Sequence, residues 1–304
     1  MAAVTSLDRM VELVRARHTP ARVVIAACAE ANAVLAGLEA HRQGLAEPVF
    51  VGDVAGMKAL PELAGEDFSR FECLHEPDMG AALKRSLDLL EEGRAGFLMK
   101  GGVKTDVLLR AVLGRKRGGA GLLSHIGVFP HPREERLVIV TDAGVNISPT
   151  LTRKIDIIKN AVAVAKALGM DPPKVAVLSA TEKVSYNDMV SSKDADILAK
   201  LSRMGIFGDA VIGGPFALDI AVSEEKARAK GVDHPVAGRA DILCAPNIVT
   251  GNVLYKAVTS LMDLPMAGIV VGANYPLVVP SRGDSDRSKF YALALAAYLS
   301  GMQG

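Results

Sequence analysis

Short apolar runs alternate with amphipathic segments along most of this 304-residue sequence. The runs have the length of buried strands and are apolar at consecutive positions: residues 22–28, 48–52, 96–100, 137–142, 174–180, 209–214, 241–246, 267–273 and 276–280. The intervening segments repeat their apolar positions with the period of a helix: residues 30–43, 79–92, 150–169, 194–204 and 247–262. Continuous apolar strands separated by helices are typical of mostly parallel sheets with helices on both faces. The sequence therefore predicts an α/β protein.

The chain is long enough for two cores. A basic, proline-containing stretch, residues 115–117 and 130–136, precedes the apolar run 137–142, so we place a domain boundary close to Asp142. We expect the last helix, residues 285–300, to pack back on the first domain. The predicted organisation is a discontinuous domain of residues 1–141 plus 284–304 and an inserted domain of residues 142–283.

Charge and cysteine content disfavour several classes of protein. The chain has 35 Lys and Arg against 34 Asp and Glu, a net charge of +1, which is not the electrostatic footprint of a nucleic-acid binder. Its cysteines Cys28, Cys73 and Cys244 are three in number and lack CxxC spacing, which disfavours disulfides and a cysteine-built zinc site. No histidine–carboxylate spacing suggests a metal. The amphipathic opening segment lacks the features of a signal peptide and no apolar stretch reaches membrane length, so we expect a soluble cytoplasmic protein.

Ligands in open α/β sheets bind at the carboxyl ends of the strands, so the residues after each apolar run are candidate site residues. The run 276–280 is followed by Ser281, Arg282, Gly283 and Asp284, then by a helix. A hydroxyl, a guanidinium and backbone N–H groups at a helix start would suit an anion. The alternative is a plain turn in which Ser285 or Asp284 caps the helix.

Two other strand ends carry polar candidates. Lys100 precedes Gly101 and Gly102, which would let the backbone approach a phosphate, and Arg110 follows within two helical turns. Asn146 follows the run 137–142 and could orient a ligand, although such a segment is more often only a turn. The chain has no GxSxG, GxGxxG or P-loop motif, which disfavours a serine hydrolase, a Rossmann dehydrogenase and a P-loop enzyme. The sequence thus predicts a cation-lined site without a cofactor.

Taken in order, several segments resemble the phosphate acetyl/butyryltransferase family in the short form of the phosphate butyryltransferases. The resemblance extends over nearly the whole chain and is carried most clearly by LMKGGVKTDVLLRAVL (98–113), TDAGVNISPTLTRKIDIIKNAV (141–162) and GIVVGANYPLVVPSRGDS (268–285). It implies two three-layer α/β/α domains like those of isocitrate and isopropylmalate dehydrogenases, with the active site in the cleft between them. It also implies a homodimer.

The resemblance implies the reaction acyl-CoA + phosphate = acyl phosphate + CoA on short acyl groups, with coenzyme A and phosphate as substrates and no cofactor. Ser281 and Arg282 match the family's active-site pair, Arg282 binding phosphate and Ser281 positioning the reacting groups. The family acetyltransferases have an aspartate as the expected base where this chain has Ser288. Asp284 is therefore the candidate base, and Asp286 is a second nearby carboxylate.

Two alternatives stay open. A decarboxylating dehydrogenase would share the implied fold, but such enzymes need a cluster of carboxylates for a divalent metal, and the sequence shows no matching cluster. A non-catalytic protein that binds CoA or an acyl phosphate is the other alternative, because Ser288 replaces the expected base.

Overall fold

The computed structural model describes residues 3–115, 121–185, 187–281 and 283–302. Contacts divide the chain into two compact units. Unit 1 consists of Met1–Ser6 and Leu122–Met266, and unit 2 consists of Leu7–Gly121 and Ala267–Gly304. Each unit contains both strands and helices, so each builds its own core.

The strands, in chain order, are β1 Ala21–Ala26, β2 Ala46–Gly52, β3 Glu72–His75, β4 Phe97–Lys100, β5 Ser124–Pro130, β6 Leu137–Thr141, β7 Lys174–Leu178, β8 Val211–Phe216, β9 Ile242–Cys244, β10 Ala267–Val271 and β11 Leu277–Val278. The α-helices are α1 Leu7–Arg15, α2 Ala31–Arg42, α3 Val54–Lys58, α4 Met79–Glu91, α5 Thr105–Leu113, α6 Leu151–Ala167, α7 Val190–Arg203, α8 Leu218–Val222, α9 Glu224–Ala229, α10 Ile248–Lys256 and α11 Asp286–Ser300. A 3-10 turn at Pro61–Leu63 follows α3, and a π-helical turn at Ala257–Leu261 continues α10.

Unit 2 arranges its strands in the order β3-β2-β1-β4-β11-β10. The pairs from β3 to β11 are parallel, whereas β10 runs antiparallel to its neighbour β11. The central strand β1 is a continuous apolar run whose residues Val23, Val24 and Ile25 are fully buried, as expected for a strand covered on both faces. Helix α11 contacts α1, α2 and β10. Its ALALAAYL segment is therefore buried around most of its circumference.

Unit 1 arranges its strands in the order β5-β6-β9-β7-β8. Strands β5 and β6 form an antiparallel pair, whereas the β6-β9, β9-β7 and β7-β8 pairs are parallel. One apolar cluster of this unit includes Phe129, Val140, Leu178 and Phe216. The predicted α/β class with mostly parallel strands is confirmed.

The contact-based units divide the chain at other positions than the predicted domain bounds. Strand β6 precedes the predicted boundary at residue 142, yet it pairs with β9 in unit 1. Strand β11 lies before residue 284, yet it pairs with β4 in unit 2. The difference arises because each of these strands is followed by a polar turn, which in the sequence resembles a domain boundary. The backbone hydrogen bonds of β6 join it to unit 1, and those of β11 join it to unit 2.

Candidate functional site

A groove of about 740 Å³ opens in unit 2 at the carboxyl ends of three neighbouring parallel strands. The strand register places Ala26 of β1 beside Lys100 of β4, and Met99 of β4 beside Val278 of β11. The loops after these strands therefore meet at one edge. The polar residues that line the groove include Glu30, Lys100, Lys104, Thr105, Asp106, Ser281 and Lys289.

The loop from β4 to α5 lies directly against the end of β1. The Gly101 N–H donates to Ala26 O at 2.9 Å, and the Gly102 N–H donates to Ala27 O at 2.8 Å. A Cβ at position 101 would lie only 2.5 Å from Ala27 O and 2.6 Å from Ala26 O. Glycine is thus required at position 101 for this close approach, which fixes the path of the loop along the groove.

Lysine side chains bring positive charge to the groove. The half-buried Lys100 Nζ donates to Gly101 O at 3.2 Å and to Val103 O at 3.1 Å, so the ammonium lies over its own loop. Lys104 is the exposed N-cap residue of α5, and its side chain makes no capping hydrogen bond to the first turn of the helix. Lys289, whose side chain is 15% exposed, pairs with Asp286 at 3.0 Å. The arrangement suits an anion in contact with backbone N–H groups and ammonium groups.

At the carboxyl end of β11, on the same edge of the sheet, a tight turn presents Ser281. The Ser281 N–H donates to Asp284 Oδ2 at 2.8 Å, and the Asp284 N–H donates to Ser281 O at 3.1 Å. The Ser281 hydroxyl oxygen accepts from the Gly283 N–H at 3.4 Å. The Asp284 carboxylate therefore holds the backbone of the residue that lines the groove. Arg282 lies outside the described residues.

Helix α11 begins directly after this turn. Ser285 is its N-cap, and its Oγ accepts from the Ser288 N–H at 3.1 Å. Ser288 is buried, and its hydroxyl accepts from the Ser285 hydroxyl at 3.1 Å. At the position where the resemblance leads us to expect an aspartate, this chain thus has a hydroxyl in the first turn of a helix.

Three other predicted site residues lie away from the groove lining. Arg110 is exposed on α5 and pairs with Asp106, one helical turn earlier, at 2.6 Å. Asp286 has a 99% exposed side chain and pairs with Lys289. Asn146 belongs to unit 1. The structure therefore brings Lys100 and Ser281 into one groove, with Asp284 in the turn that holds Ser281.

Asn146 takes part in a buried network of unit 1. Its Nδ2 donates to Asp142 Oδ2 at 2.7 Å and to Leu123 O at 2.8 Å. The Asp142 carboxylate also accepts the N–H groups of Gly144 at 2.8 Å and Val145 at 2.9 Å. The side-chain amide of Asn146 thus braces the loop after β6, which explains its burial.

Sequence reasoning missed a second polar pocket, of about 570 Å³, in unit 1. It lies at the carboxyl ends of β7 and β9, and its lining includes Lys154, Ser179, Ser191 and Asn247. Its signal in the sequence was the same as that of the groove, namely polar residues directly after apolar runs. Lys154 gave no signal because a lysine on an amphipathic helix is normally exposed.

Residues 79–297 match the family described as Phosphate acetyl/butaryl transferase. The chain belongs to this family. The match includes β4, which carries Lys100, and the turn between β11 and α11, which carries Ser281. The resemblance noted from the sequence is therefore confirmed.

Curated relatives match almost the entire chain. A phosphate butyryltransferase of Clostridium acetobutylicum is 40% identical over 282 residues, which cover 92% of this chain and 93% of the relative. A phosphate acetyltransferase of Thermotoga maritima is 35% identical over 293 residues, covering 96% and 98%. Both a phosphate butyryltransferase and a phosphate acetyltransferase are thus similar to this chain.

Solved structures agree with this assignment. A branched-chain phosphotransacylase from Enterococcus faecalis V583 superposes with a TM-score of 0.80 at 29% identity, covering 92% of this chain and 99% of that one. A 4-hydroxythreonine-4-phosphate dehydrogenase from Klebsiella pneumoniae matches with a TM-score of 0.53 at 11% identity, covering 91% and 99%. The second likeness concerns the fold alone, and it confirms the expected relation of this fold to dehydrogenases.

The titratable groups of the described residues limit the chemistry further. Burial raises the pKa of both Cys28 and Cys244 to about 12, so neither thiol forms a nucleophilic thiolate at neutral pH. No group of three or more His, Cys, Asp or Glu side chains in the described ranges could hold a metal ion. Among the helices described, none is both long and apolar enough to cross a membrane.

Proposed function

We propose that this protein is a phosphate acyltransferase, which exchanges the acyl group of a short acyl-CoA with inorganic phosphate to give an acyl phosphate and free CoA. The observation that carries the proposal is the family match over residues 79–297, which includes the ends of β4 and β11 and the groove residues that follow them. Coenzyme A and phosphate are the substrates, and no further cofactor takes part.

In this proposal the groove of unit 2 receives the negative charge of the substrates. Lys100 and Lys104, with Arg282, neutralise phosphate, and the Ser281 hydroxyl donates to the oxyanion that develops on the acyl carbonyl. Removing one such donor typically costs about 3 kcal/mol in the barrier, which lowers kcat by roughly a hundredfold. Lys100→Met and Ser281→Ala should therefore each reduce turnover strongly.

The proposed general base is Asp284, which takes the proton of the CoA thiol so that the thiolate attacks the acyl-phosphate carbonyl and phosphate departs. Its Oδ2 already accepts the Ser281 N–H, so a positioning role is the competing explanation. Asn at position 284 keeps an oxygen for that N–H but cannot take a proton. Asp284→Asn should therefore abolish turnover if Asp284 is the base, and retain most of it if Asp284 only holds the turn. Asp284→Ala removes both roles and is the matched comparison.

The test is the release of free thiol when purified protein is mixed with phosphate and an acyl-CoA. We expect release that depends on phosphate and that is lost in Arg282→Ala. Lys226→Gln, which removes an exposed cation of α9 in unit 1, is the control for a general loss of positive charge. Absence of phosphate-dependent release with acetyl-, propionyl-, butyryl- and branched acyl-CoA would refute the catalytic proposal.

Short acyl groups are the proposed substrate class because relatives with acetyl and butyryl activities are both similar to this chain. One methylene in an apolar pocket changes specificity by only about 1–3 kcal/mol. The thiol-release assay should therefore give a graded series of kcat/KM values over chain length rather than a single accepted substrate.

A non-catalytic binding protein is the alternative that one observation favours, since Ser288 occupies the place of the family aspartate and is buried in a helix turn. Saturable CoA binding without phosphate-dependent thiol release would identify that case. The dehydrogenase alternative has only a likeness of fold in its favour.

We also propose a cytoplasmic homodimer. Helix α10 presents Val249 and Val253, one turn apart and 68% and 62% exposed, and the following turn presents Leu261 at 85%. Apolar side chains grouped in this way are typical of an interaction surface. Light scattering should give twice the mass of the chain, and Val253→Lys should lower it towards the monomer, whereas Val184→Lys, an exposed valine elsewhere in unit 1, should leave it unchanged.

A further inference from the structure

The polar pocket of unit 1 contains a lysine that is almost completely buried. Lys154 is 3% exposed, lies on α6 and lines the pocket. Its Nζ donates to Asp194 Oδ2 on α7 at 2.7 Å. A lysine ammonium has three N–H donors, and Asp194 is the one acceptor that the described residues supply. Burying an ammonium is costly unless its donors are satisfied, so the remaining donors call for an acceptor in the pocket.

The residues around Lys154 are donors rather than carboxylates. Ser148, Ser179, Ser191 and Thr250 contribute hydroxyls, and Asn247 contributes an amide. The hydroxyls of Ser179 and Ser191 lie 2.9 Å apart, so when Ser179 donates to Ser191, the Ser191 proton is left to donate to a third group. None of the described residues that line the pocket is acidic. Lys154, which is paired with Asp194, is thus the one charged side chain among the described residues that line the pocket.

Three helices begin at this pocket, which adds to its positive potential. The lining includes Pro149 next to the N-cap of α6, Val190 at the first position of α7, and Asn247, the N-cap of α10. Each helix N-terminus carries a partial positive charge and backbone N–H groups without an intrahelical acceptor. Met189, the N-cap residue of α7, makes no side-chain hydrogen bond to the first turn of that helix. A tetrahedral anion is the ligand that ammonium, hydroxyl and helix N–H donors share.

We propose that this pocket of unit 1 binds a phosphoryl group, supplied either by inorganic phosphate or by a phosphate of coenzyme A. The proposal rests on the proposed function for the choice of these two ligands. It adds to that function a second anion site, built from the ends of β7 and β9, besides the lysine-lined groove of unit 2.

The experiment measures binding, not turnover. Phosphate binding is followed by equilibrium dialysis with radiolabelled phosphate, and CoA, 3′-dephospho-CoA and pantetheine by calorimetry, in protein that carries Lys100→Met so that the unit 2 groove contributes little. Ser148→Glu and Val190→Glu place a carboxylate at exposed lining positions, and Ser148→Gln and Val190→Gln are their neutral matches. Circular dichroism and the melting temperature confirm that each variant is folded.

Each glutamate variant should bind the relevant ligand at least about fivefold more weakly than its glutamine match, because a like charge repels the anion at close range. Weakened binding of phosphate would identify the inorganic ion as the occupant. Weakened binding of CoA but of neither phosphate nor pantetheine would identify a phosphate of CoA, and 3′-dephospho-CoA would show which one. Equal affinities of the glutamate and glutamine variants for all four ligands would overturn the proposal.

Two further comparisons separate this site from the proposed function. Loss of the charge effect in a Lys154→Met, Asp194→Leu double variant that remains folded would support the ammonium as the principal ligand group. If the unsubstituted protein lacked phosphate-dependent thiol release but the glutamate variants still lost affinity, the activity would be wrong and the binding site right. If thiol release depended on phosphate but the glutamate and glutamine variants bound every ligand equally, the proposed activity would be right and the proposed binding site wrong.

Discussion

The close approach of Gly101 to the end of β1 gives a direct test of how the groove is built. In Gly101→Ala, the new Cβ would lie 2.5 Å from Ala27 O and 2.6 Å from Ala26 O. Ordinary carbon–oxygen contacts are no shorter than about 3.3 Å, so the loop must move by roughly 0.8 Å. Such overpacking typically costs about 1–3 kcal/mol of folding free energy. For a chain of this size, the melting temperature should fall by roughly 2–5 °C.

The same movement would displace the Lys100 ammonium, because its acceptors Gly101 O and Val103 O belong to the loop. A displacement of about 1 Å in a positioned group can cost roughly a hundredfold in rate. We therefore expect kcat/KM for phosphate-dependent thiol release to fall by about that factor. The assay is the acyl-CoA series described above, run beside thermal unfolding followed by circular dichroism.

Gly102→Ala is the matched control because it makes the same substitution at the neighbouring residue. Its Cβ would meet Ala27 O at 3.4 Å, an ordinary contact. This variant should keep the melting temperature and kcat/KM of the unsubstituted protein. If Gly101→Ala had the same melting temperature and kcat/KM as Gly102→Ala, the close approach would not exist in solution and the argument for a fixed loop would fail.

Further predictions concern buried ionisable groups. Lys154→Met leaves the Asp194 carboxylate buried without its partner and should lower the free energy of unfolding by about 3–5 kcal/mol in urea, whereas adding Asp194→Leu should recover most of the loss; a double variant no more stable than Lys154→Met would contradict this. Because burial raises the pKa of Cys28 and Cys244 to about 12, alkylation at neutral pH should be slow in the native protein and fast after unfolding. Burial and, to a smaller extent, Arg203 lower the pKa of His234, so the unfolded chain binds the proton more tightly; this contribution to stability is present above about pH 6.5 and is lost as the pH falls through it. The slope of stability against pH in that window should decrease in His234→Phe, and an unchanged slope would contradict the assignment.

Much of the fold could be predicted because its strands are buried on both faces. The continuous apolar runs at residues 22–28 and 96–100 became β1 and β4 with bounds close to those predicted. Strands β3 and β5 were not predicted from the pattern. The residues of β3, ECLH, are only partly buried and include Cys73 and His75 among charged neighbours, so no apolar run marks them. In β5, His125 and Gly127 interrupt the apolar pattern.

Site residues that directly follow a strand could be predicted from the sequence. Residues whose role depends on the direction in which a helix side chain points could not. Lys100 and Ser281 lie far apart in sequence, but the rule that ligands collect at the carboxyl ends of parallel strands predicts that they meet, and they line one groove. Arg110 lies in the same helix as the buried Leu108 and Val112, on a face that points to solvent. Lys154 shows the reverse, a charged residue that helical periodicity assigns to solvent and that packing buries.

The turn after β11 shows that the two interpretations offered by the sequence are compatible. Helix capping and anion binding were alternatives for residues 281–286, but in the structure different residues of this segment cap the helix and line the groove. Ser285 caps α11, so Ser281 is left to line the groove. Asp284, the residue before the N-cap Ser285, links the two, because its carboxylate accepts the Ser281 N–H. The comparison of Asp284→Asn with Asp284→Ala therefore separates the chemistry of this carboxylate from its architecture: equal loss in both variants means a proton acceptor, and loss in the alanine variant alone means a brace.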